Sequence, residues 1–131
     1  MEKSRDLIVY RLKRAFETFE DARILADSER WNACVNRLYY ACFYAVSALL
    51  LCDGLSSSKH TGVRSLFNLH YVKNEKISKT MAVIFNDLFE RRQEGDYLDF
   101  VLFQKEQVTP WINETEKFIA RLDAEIQRKI K

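Results

Sequence analysis

Residues that interrupt helices are scarce in this sequence, which has 3 glycines and 1 proline among 131 residues. Folds made of many short strands need frequent tight turns, and glycine and proline are among the main residues that form them. Their scarcity excludes a strand-rich fold and favours long helices. The length is close to that of a typical domain, so the sequence predicts a single domain over residues 1–131.

Closely spaced cysteines are also missing. Cys34, Cys42 and Cys52 form no Cys-x-x-Cys pair, and no histidine stands at the spacing of a metal ligand. An odd number of widely spaced cysteines is typical of reduced thiols in the cytosol and argues against a disulfide framework or a zinc site. The sequence therefore predicts a cytoplasmic protein without a bound metal or cofactor.

The sequence has no strong excess of charge and no apolar run of membrane-spanning length. A net charge of +2 argues against DNA binding driven by bulk positive charge but leaves room for a local basic site. The first residues, MEKSRDLIVYRLKR, lack the apolar core of a signal peptide. The apolar run at residues 38–52, which contains only Ser47 as a polar residue, is shorter than the roughly 18 residues that span a bilayer. We expect neither DNA binding nor membrane insertion.

Apolar residues at helical spacing are what the sequence does contain. Their pattern predicts four long helices, at about 4–28, 31–53, 78–93 and 105–128, and a short one near 62–71. The second helix is apolar on most sides, which is typical of a central helix covered by its neighbours. The predicted fold is therefore all-α, an antiparallel up-and-down helical bundle of four long helices plus one short helix. Its predicted core includes Leu38, Cys42, Val46, Leu49, Ile84, Leu88, Ile119 and Leu122.

A charged residue interrupts the apolar face of the fourth helix. On a helix of 3.6 residues per turn, Arg92 continues the stripe of Met81, Ile84 and Leu88. An unpaired buried charge is strongly destabilising, so Arg92 must meet a carboxylate, a subunit interface or a ligand phosphate. Asp96, one turn later in the stretch RRQEGDYLDF, is the nearest candidate partner. Two interpretations follow: a structural pair that ends the helix, and a pair that faces an open cleft.

The second helix carries a polar face. Asn36, Arg37, Tyr40, Tyr44 and Ser47 share about one third of its circumference. Guanidinium and phenol groups in this arrangement can stack on bases and bind phosphate. The same groups are typical of a polar seam inside a bundle or between subunits. Aromatic and polar residues on one face also predict a twofold homodimer, with the second or fourth helix near its axis.

His60 stands beside Lys59, just before the short helix. A histidine at a helix start can contact a phosphate or transfer a proton, whereas most loop histidines are ordinary polar residues. The sequence contains no phosphate-binding P-loop, nucleophile elbow, metal-ligand cluster or dinucleotide fingerprint. Candidate chemistry is therefore confined to isolated side chains such as His60.

Three stretches together resemble the HEPN domain family, the nucleotide-binding domains shared by higher eukaryotes and prokaryotes. They are RLYYACFYAVSALLLCDGL (37–55), KHTGVRSLFNLHYVK (59–73) and LFERRQEGDYLDF (88–100). The resemblance is to the small single-domain prokaryotic branch of the family. It implies an up-and-down helical bundle and a homodimer with the charged motif near the dimer cleft. It also implies a minimal nucleotidyltransferase as the partner in a toxin–antitoxin-like pair.

Ribonuclease members of this family carry an Arg-x4-6-His motif and cleave single-stranded RNA without a metal. In such chemistry the arginine stabilises phosphate charge while the histidine moves protons. Here Asp96 or Tyr97 stands where that motif has its histidine. An aspartate, with an ordinary pKa of about 3.9, is ionised at neutral pH and is a poor general acid. Some toxin members are adenylylated on a tyrosine of this region, and Tyr97 is a displaced version of it.

Three alternative functions are therefore predicted. The first is a HEPN-like module that binds RNA, a nucleotide or a protein partner such as the nucleotidyltransferase. The second is a metal-independent endoribonuclease in which Arg92 and Asp96 are catalytic and Arg37 or His60 assists. The third is a purely structural helical homodimer. The predicted ligand-binding residues are Arg37, Tyr40, His60 and Tyr97.

Overall fold

The computed structural model describes residues 2–131, with side chains described from residue 4 onward, and shows an all-α bundle. No strand occurs in the described residues, so the predicted fold class is confirmed. The helices are α1 (Glu2–Asp27), α2 (Trp31–Cys52), α3 (His60–Phe67), α4 (Lys79–Tyr97) and α5 (Lys105–Ile130). Four of them are long and α3 is short, as the apolar pattern predicts.

α2 is the central helix of the bundle. It packs most extensively against α1 and also contacts α3, α4 and α5. Twelve of its 22 residues are buried. The eight predicted core residues are all buried as well. The apolar stripes of the long helices close over α2 because each stripe needs another to cover it.

By length and apolar composition, α2 is also the one described helix that would be able to cross a membrane. It is longer than the apolar run at 38–52 because the helix already begins at Trp31. Within its most apolar window, 67% of the residues are buried inside the bundle. A helix surrounded by other helices has to be apolar on most faces, so the core position accounts for this composition.

The short third helix begins earlier than predicted and continues in a different geometry. α3 starts at His60 rather than near residue 62, and a π-helical turn, Asn68–Val72, follows it. In this turn the Tyr71 hydroxyl donates a hydrogen bond to the Asp53 carboxylate, which Lys129 Nζ also approaches at 3.3 Å. These contacts tie the π-helical turn to the end of α2 and to α5.

α4 passes through Gly95 and ends at Tyr97, beyond the predicted boundary near residue 93. Gly95 faces the ring of Phe103, and a Cβ added to Gly95 would lie 2.8 Å from a carbon of that ring. Glycine is therefore required here by the close approach of the ring and does not stop the helix. As a result Asp96 stays in helical register with Arg92.

The segment that connects α4 to α5 is held by Asn32 of α2. The Asn32 amide nitrogen donates to the Val101 carbonyl at 2.8 Å, and its oxygen accepts from the Phe103 N–H at 2.9 Å. Phe103 is buried, and its ring centroid lies 5.7 Å from that of Trp111. Other large apolar side chains of the same region face solvent. This exposed patch consists of Tyr97, Leu98, Phe100 and Leu102.

Candidate functional site

Arg92 is a buried arginine with few partners. The residue is 8% exposed. Its Nη1 lies 3.6 Å from Asp96 Oδ2, so the i,i+4 pair expected from the sequence is present, as an ion-pair contact longer than a hydrogen bond. Its Nε has no hydrogen-bond acceptor among the described residues. Protein groups therefore compensate this buried charge only in part.

Two tyrosine rings of α2 support the Arg92 guanidinium. Its Cζ lies 4.7 Å from the centroid of the Tyr39 ring and 5.6 Å from that of the Tyr40 ring. Tyr39 is fully buried, and Tyr40 is half-buried. A cation above a ring is stabilised by about 0.5–2 kcal/mol and uses none of its N–H donors. The rings thus hold the guanidinium in place without using its N–H donors.

Asn36 connects Asp96 to Arg37. Its amide nitrogen donates to Asp96 Oδ2 at 3.1 Å. Its oxygen accepts from Arg37 Nε at 3.1 Å and from Arg37 Nη2 at 2.8 Å. The Arg37 Cζ also lies 4.9 Å from the centroid of the Tyr40 ring. The structure therefore brings four predicted site residues together across α2 and α4, namely Arg37, Tyr40, Arg92 and Asp96.

His60 joins the same cluster through Tyr39. Its Nδ1 lies 2.7 Å from the Tyr39 hydroxyl oxygen. Its ring stacks on Phe43 at a centroid distance of 4.4 Å and lies 5.7 Å from the Tyr40 ring. Because Tyr39 and Tyr40 also contact the Arg92 guanidinium, the two tyrosines place the imidazole and the guanidinium as neighbours. We use the name Arg92 cluster for Asn36, Arg37, Tyr39, Tyr40, His60, Arg92 and Asp96.

The protonation of the Tyr39–His60 pair follows from its surroundings. Burial raises the pKa of the Tyr39 hydroxyl, which therefore stays protonated. Partial burial lowers the pKa of His60 below its ordinary value of 6.5, and the charge of Arg92 lowers this pKa further, so the imidazole is neutral at pH 7. The Tyr39 hydroxyl can donate to Nδ1 or accept from an Nδ1–H. The direction decides whether His60 Nε2 offers a ligand a proton or a lone pair.

Tyr97 does not join the Arg92 cluster. It is the last residue of α4, it is 74% exposed, and no described hydrogen bond or ring contact links it to the other candidates. Tyr39, in contrast, is central to the cluster and was not among the predicted site residues. It shares the buried stripe of Cys42 and Val46, and a tyrosine at such a position must find a partner for its hydroxyl. That requirement was the available signal in the sequence.

The cluster offers guanidinium, imidazole and phenol groups and one carboxylate. No group of three or more His, Cys, Asp or Glu side chains that could hold a metal ion occurs in the part of the chain that the structure describes. Guanidinium groups bind phosphate through paired N–H donors, and a neutral imidazole can transfer a proton at neutral pH. The arrangement suits an anionic ligand, and specifically a phosphate.

Comparison with known protein families gives a match over residues 8–126 to the model described as HEPN domain. The chain belongs to the HEPN domain family. The resemblance expected from the three sequence stretches is thereby confirmed, and the HEPN match includes every predicted site residue.

Individual relatives of this HEPN chain come from prokaryotes. A UPF0332 protein of Thermotoga maritima is 43% identical over 127 residues, which cover 97% of this chain and 96% of that protein. Two proteins of Methanocaldococcus jannaschii, both named "Putative toxin", are 28% and 32% identical over 115 and 108 residues. Those matches cover 82% of this chain and 78% and 80% of the two proteins.

In this HEPN domain the histidine beside the buried arginine comes from another helix. No histidine follows Arg92 before α4 ends at Tyr97. The fold places His60, the first residue of α3, against the two tyrosine rings that support Arg92. An arginine and a histidine therefore approach the same two tyrosine rings although the sequence separates them by more than thirty positions.

Proposed function

We propose that this HEPN domain is a toxin-like module that binds the phosphate of a nucleotide or of single-stranded RNA at the Arg92 cluster. The proposal depends on the buried positive charge of Arg92, which the protein neutralises only in part. Arg92 is 8% exposed, its one carboxylate contact is 3.6 Å long, and its Nε has no acceptor in the described residues. Buried polar groups are normally hydrogen-bonded. A phosphate supplies the missing acceptors, since two of its oxygens can accept parallel N–H bonds from one guanidinium.

The groups around Arg92 suit the rest of a nucleotide. Arg37 and His60 are half-buried and add polar groups, and the half-buried Tyr40 ring offers a surface on which a base stacks. Nε is covered by protein atoms, so a bound phosphate requires a small movement of the Arg92 side chain. The relatives named "Putative toxin" support the toxin-like part of the proposal.

Binding of a labelled single-stranded RNA and of adenosine monophosphate, measured by anisotropy and calorimetry, tests this proposal. Arg92→Gln removes the central charge and is expected to abolish binding of both probes. Arg23→Gln is the matched control, because it removes the same charge from an exposed α1 side chain that pairs with Glu116 at 3.2 Å. Equal binding by the wild-type protein and Arg92→Gln would contradict the proposal.

A second function, metal-independent cleavage of RNA, is favoured by the neutral imidazole beside the buried arginine. In this proposal Nδ1–H donates to Tyr39, and His60 Nε2 accepts the proton of a ribose 2′-hydroxyl. The 2′-oxygen attacks the adjacent phosphorus, and the bond to the 5′-oxygen breaks. That oxygen then takes the proton from His60, which leaves a 2′,3′-cyclic phosphate. Arg92 stabilises the phosphate charge, and Asp96, 3.6 Å from Arg92 Nη1, orients Arg92.

A cleavage assay in EDTA separates the two functions. If the second function holds, the wild-type protein yields RNA ends with a 2′,3′-cyclic phosphate, and His60→Gln slows cleavage by about 10²–10⁴-fold. Asp96→Asn is expected to lower the affinity for RNA by a larger factor than the cleavage rate of RNA that is already bound. Intact RNA after prolonged incubation with the wild-type protein would leave binding as the function.

We further propose that the exposed patch is the contact surface of a homodimer. Its four side chains are 57% to 101% exposed, which corresponds to roughly 500 Å² of mostly apolar surface, at the upper end for a monomer. Next to it lies a groove of about 430 Å³ whose lining includes Trp31, Leu102 and Phe103. A protruding Phe100 beside a groove is self-complementary, as a twofold interface requires. Phe100 has a φ of 64°, which a large side chain adopts only when its backbone is held.

The nucleotidyltransferase remains a prediction of the family resemblance, and we propose it as the protein partner. Co-expression of both chains, followed by affinity capture of one, tests this part: separate elution would contradict it. We also propose a cytoplasmic location, which the free thiols of Cys34, Cys42 and Cys52 support.

A further inference from the structure

Arginine and tyrosine side chains form a continuous strip that leads from the Arg92 cluster to α1. Arg37 and Arg92 both contact the Tyr40 ring, at 4.9 and 5.6 Å from its centroid. The Tyr40 and Tyr44 ring centroids lie 6.3 Å apart. The strip ends on α1, where the Arg14 Cζ lies 5.4 Å from the Tyr44 ring centroid.

The strip has a surface that a ligand can reach. The Arg14 side chain is 34% exposed, and Tyr44, Tyr40 and Arg37 are all half-buried. Arg37 and Tyr44 are seven residues apart on α2, which corresponds to a rise of about 10 Å. At the roughly 3.4 Å spacing of stacked nucleotides, this distance matches about three nucleotides. A single mononucleotide at Arg92 would not fill it.

The charges of the strip favour a polyanion. Arg14, Arg37 and Arg92 supply three positive charges. Two carboxylates oppose them, Glu17 at 3.5 Å from Arg14 and Asp96 at 3.6 Å from Arg92. Guanidinium groups interleaved with aromatic rings are the groups that hold single strands, since the rings and the guanidinium planes stack on bases of any sequence and the charges meet phosphates.

We propose that the Arg14–Tyr44 end of the strip is a second subsite that holds the nucleotides flanking the one bound at Arg92. The inference rests on the proposed function and names its ligand: a single-stranded RNA of about three or more nucleotides, bound along α2 without sequence preference. A mononucleotide uses the Arg92 end alone.

Two substitutions at the far end of the strip test this. Tyr44→Ala removes a stacking ring and is expected to weaken binding of a single-stranded RNA of about eight nucleotides roughly tenfold. Tyr44→Phe keeps the ring and restores most of the affinity. Arg14→Gln is expected to lower the slope of log K against log salt by about 0.7, the value for one lost phosphate contact on a single strand. Neither end-of-strip substitution changes binding of adenosine monophosphate.

The matched control lies on the same helix. Arg23 also has its Cζ near an aromatic ring, 5.9 Å from the Phe19 centroid, and it lies nine residues from Arg14, which places it on the opposite side of α1. Arg23→Gln removes the same charge and is expected to leave RNA affinity and the salt slope unchanged. Thermal melts of each variant confirm that the bundle stays folded.

Three results would overturn the inference. RNA affinity unchanged in Tyr44→Ala and Arg14→Gln but lost in Arg92→Gln would show that only the Arg92 end binds the ligand. Conversion of a dimer to a monomer by Tyr44→Ala, measured by light scattering, would show that the strip is a protein interface. If Tyr44→Ala lost affinity for adenosine monophosphate in addition to RNA, Tyr44 would be a support of the Arg92 end and not a separate subsite. Failure of the wild-type protein to bind either probe would instead refute the proposed function itself.

Discussion

Replacing Arg92 by glutamine distinguishes an arginine that binds an anion from one that holds the bundle together. Removing one partner of a fully buried ion pair costs about 3–5 kcal/mol of unfolding free energy. Arg92 does not form such a pair. Its carboxylate contact is 3.6 Å long, and the Asp96 side chain is 32% exposed, so solvent screens much of that interaction.

The magnitude follows from the contacts that Arg92 makes. Two cation–π contacts contribute about 0.5–2 kcal/mol each, and a partly screened ion pair contributes up to about 1 kcal/mol. Against these stands the Nε–H without an acceptor in the described residues, which costs about 1–3 kcal/mol. At the middle of each range, the favourable contacts total about 3 kcal/mol and the unsatisfied donor costs about 2 kcal/mol. We therefore expect Arg92→Gln to change the unfolding free energy by less than about 2 kcal/mol.

Ligand binding is expected to respond much more strongly. A ligand present at about 100 times its Kd stabilises the folded chain by about 2.7 kcal/mol. For a chain of this length that is a rise in Tm of roughly 8–15 °C. The rise is expected in the wild-type protein with adenosine monophosphate or RNA and is expected to disappear in Arg92→Gln.

Urea unfolding and thermal melts with and without ligand measure both effects on the same samples. A loss of 3–5 kcal/mol in Arg92→Gln without ligand would refute the reasoning, because it would make Arg92 part of a structural buried pair. A ligand-dependent rise in Tm that is the same in Arg92→Gln as in the wild-type protein would show that Arg92 does not bind the ligand. A small change in stability with complete loss of the rise is the expected result.

Three further predictions concern other parts of the chain. Burial and the charge of Arg92 lower the pKa of His60, so protonation of its imidazole favours the unfolded chain and stability is expected to fall as the pH drops below 6.5. His60→Gln is expected to flatten this pH dependence in thermal melts between about pH 5 and 7.5. An equal slope in both proteins would contradict the assignment. Phe100→Ser is expected to shift the mass measured by light scattering from dimer to monomer while circular dichroism shows the helices still folded. A monomeric wild-type protein would rule out the proposed interface. Gly95→Ala places a methyl group 2.8 Å from the Phe103 ring and is expected to lower the unfolding free energy, measured in urea, by about 1–3 kcal/mol. An unchanged urea midpoint would contradict this and would show that the ring moves aside freely.

Features set by local spacing could be predicted from the sequence alone. The long helices and their buried stripes follow from apolar residues that recur at the period of the α-helix, and this period is independent of the rest of the chain. The contact between Arg92 and Asp96 follows from spacing once the helix continues through Gly95, since two residues four apart on one helix are neighbours. The boundary of α4 was missed because Gly95 is a helix breaker by propensity, and only its contact with Phe103 explains its presence inside the helix.

The candidate site itself was decided by tertiary structure. Tyr39 and His60 are separated by 21 positions and Asn36 and Asp96 by 60, and no periodicity relates residues on different helices. Their meeting depends on how α2, α3 and α4 rotate and slide against one another as their apolar stripes pack. The sequence alone therefore determined which helices form and which residues lie on their faces. The packing of three helices around two tyrosine rings decided that a histidine and an arginine, distant in sequence, become neighbours.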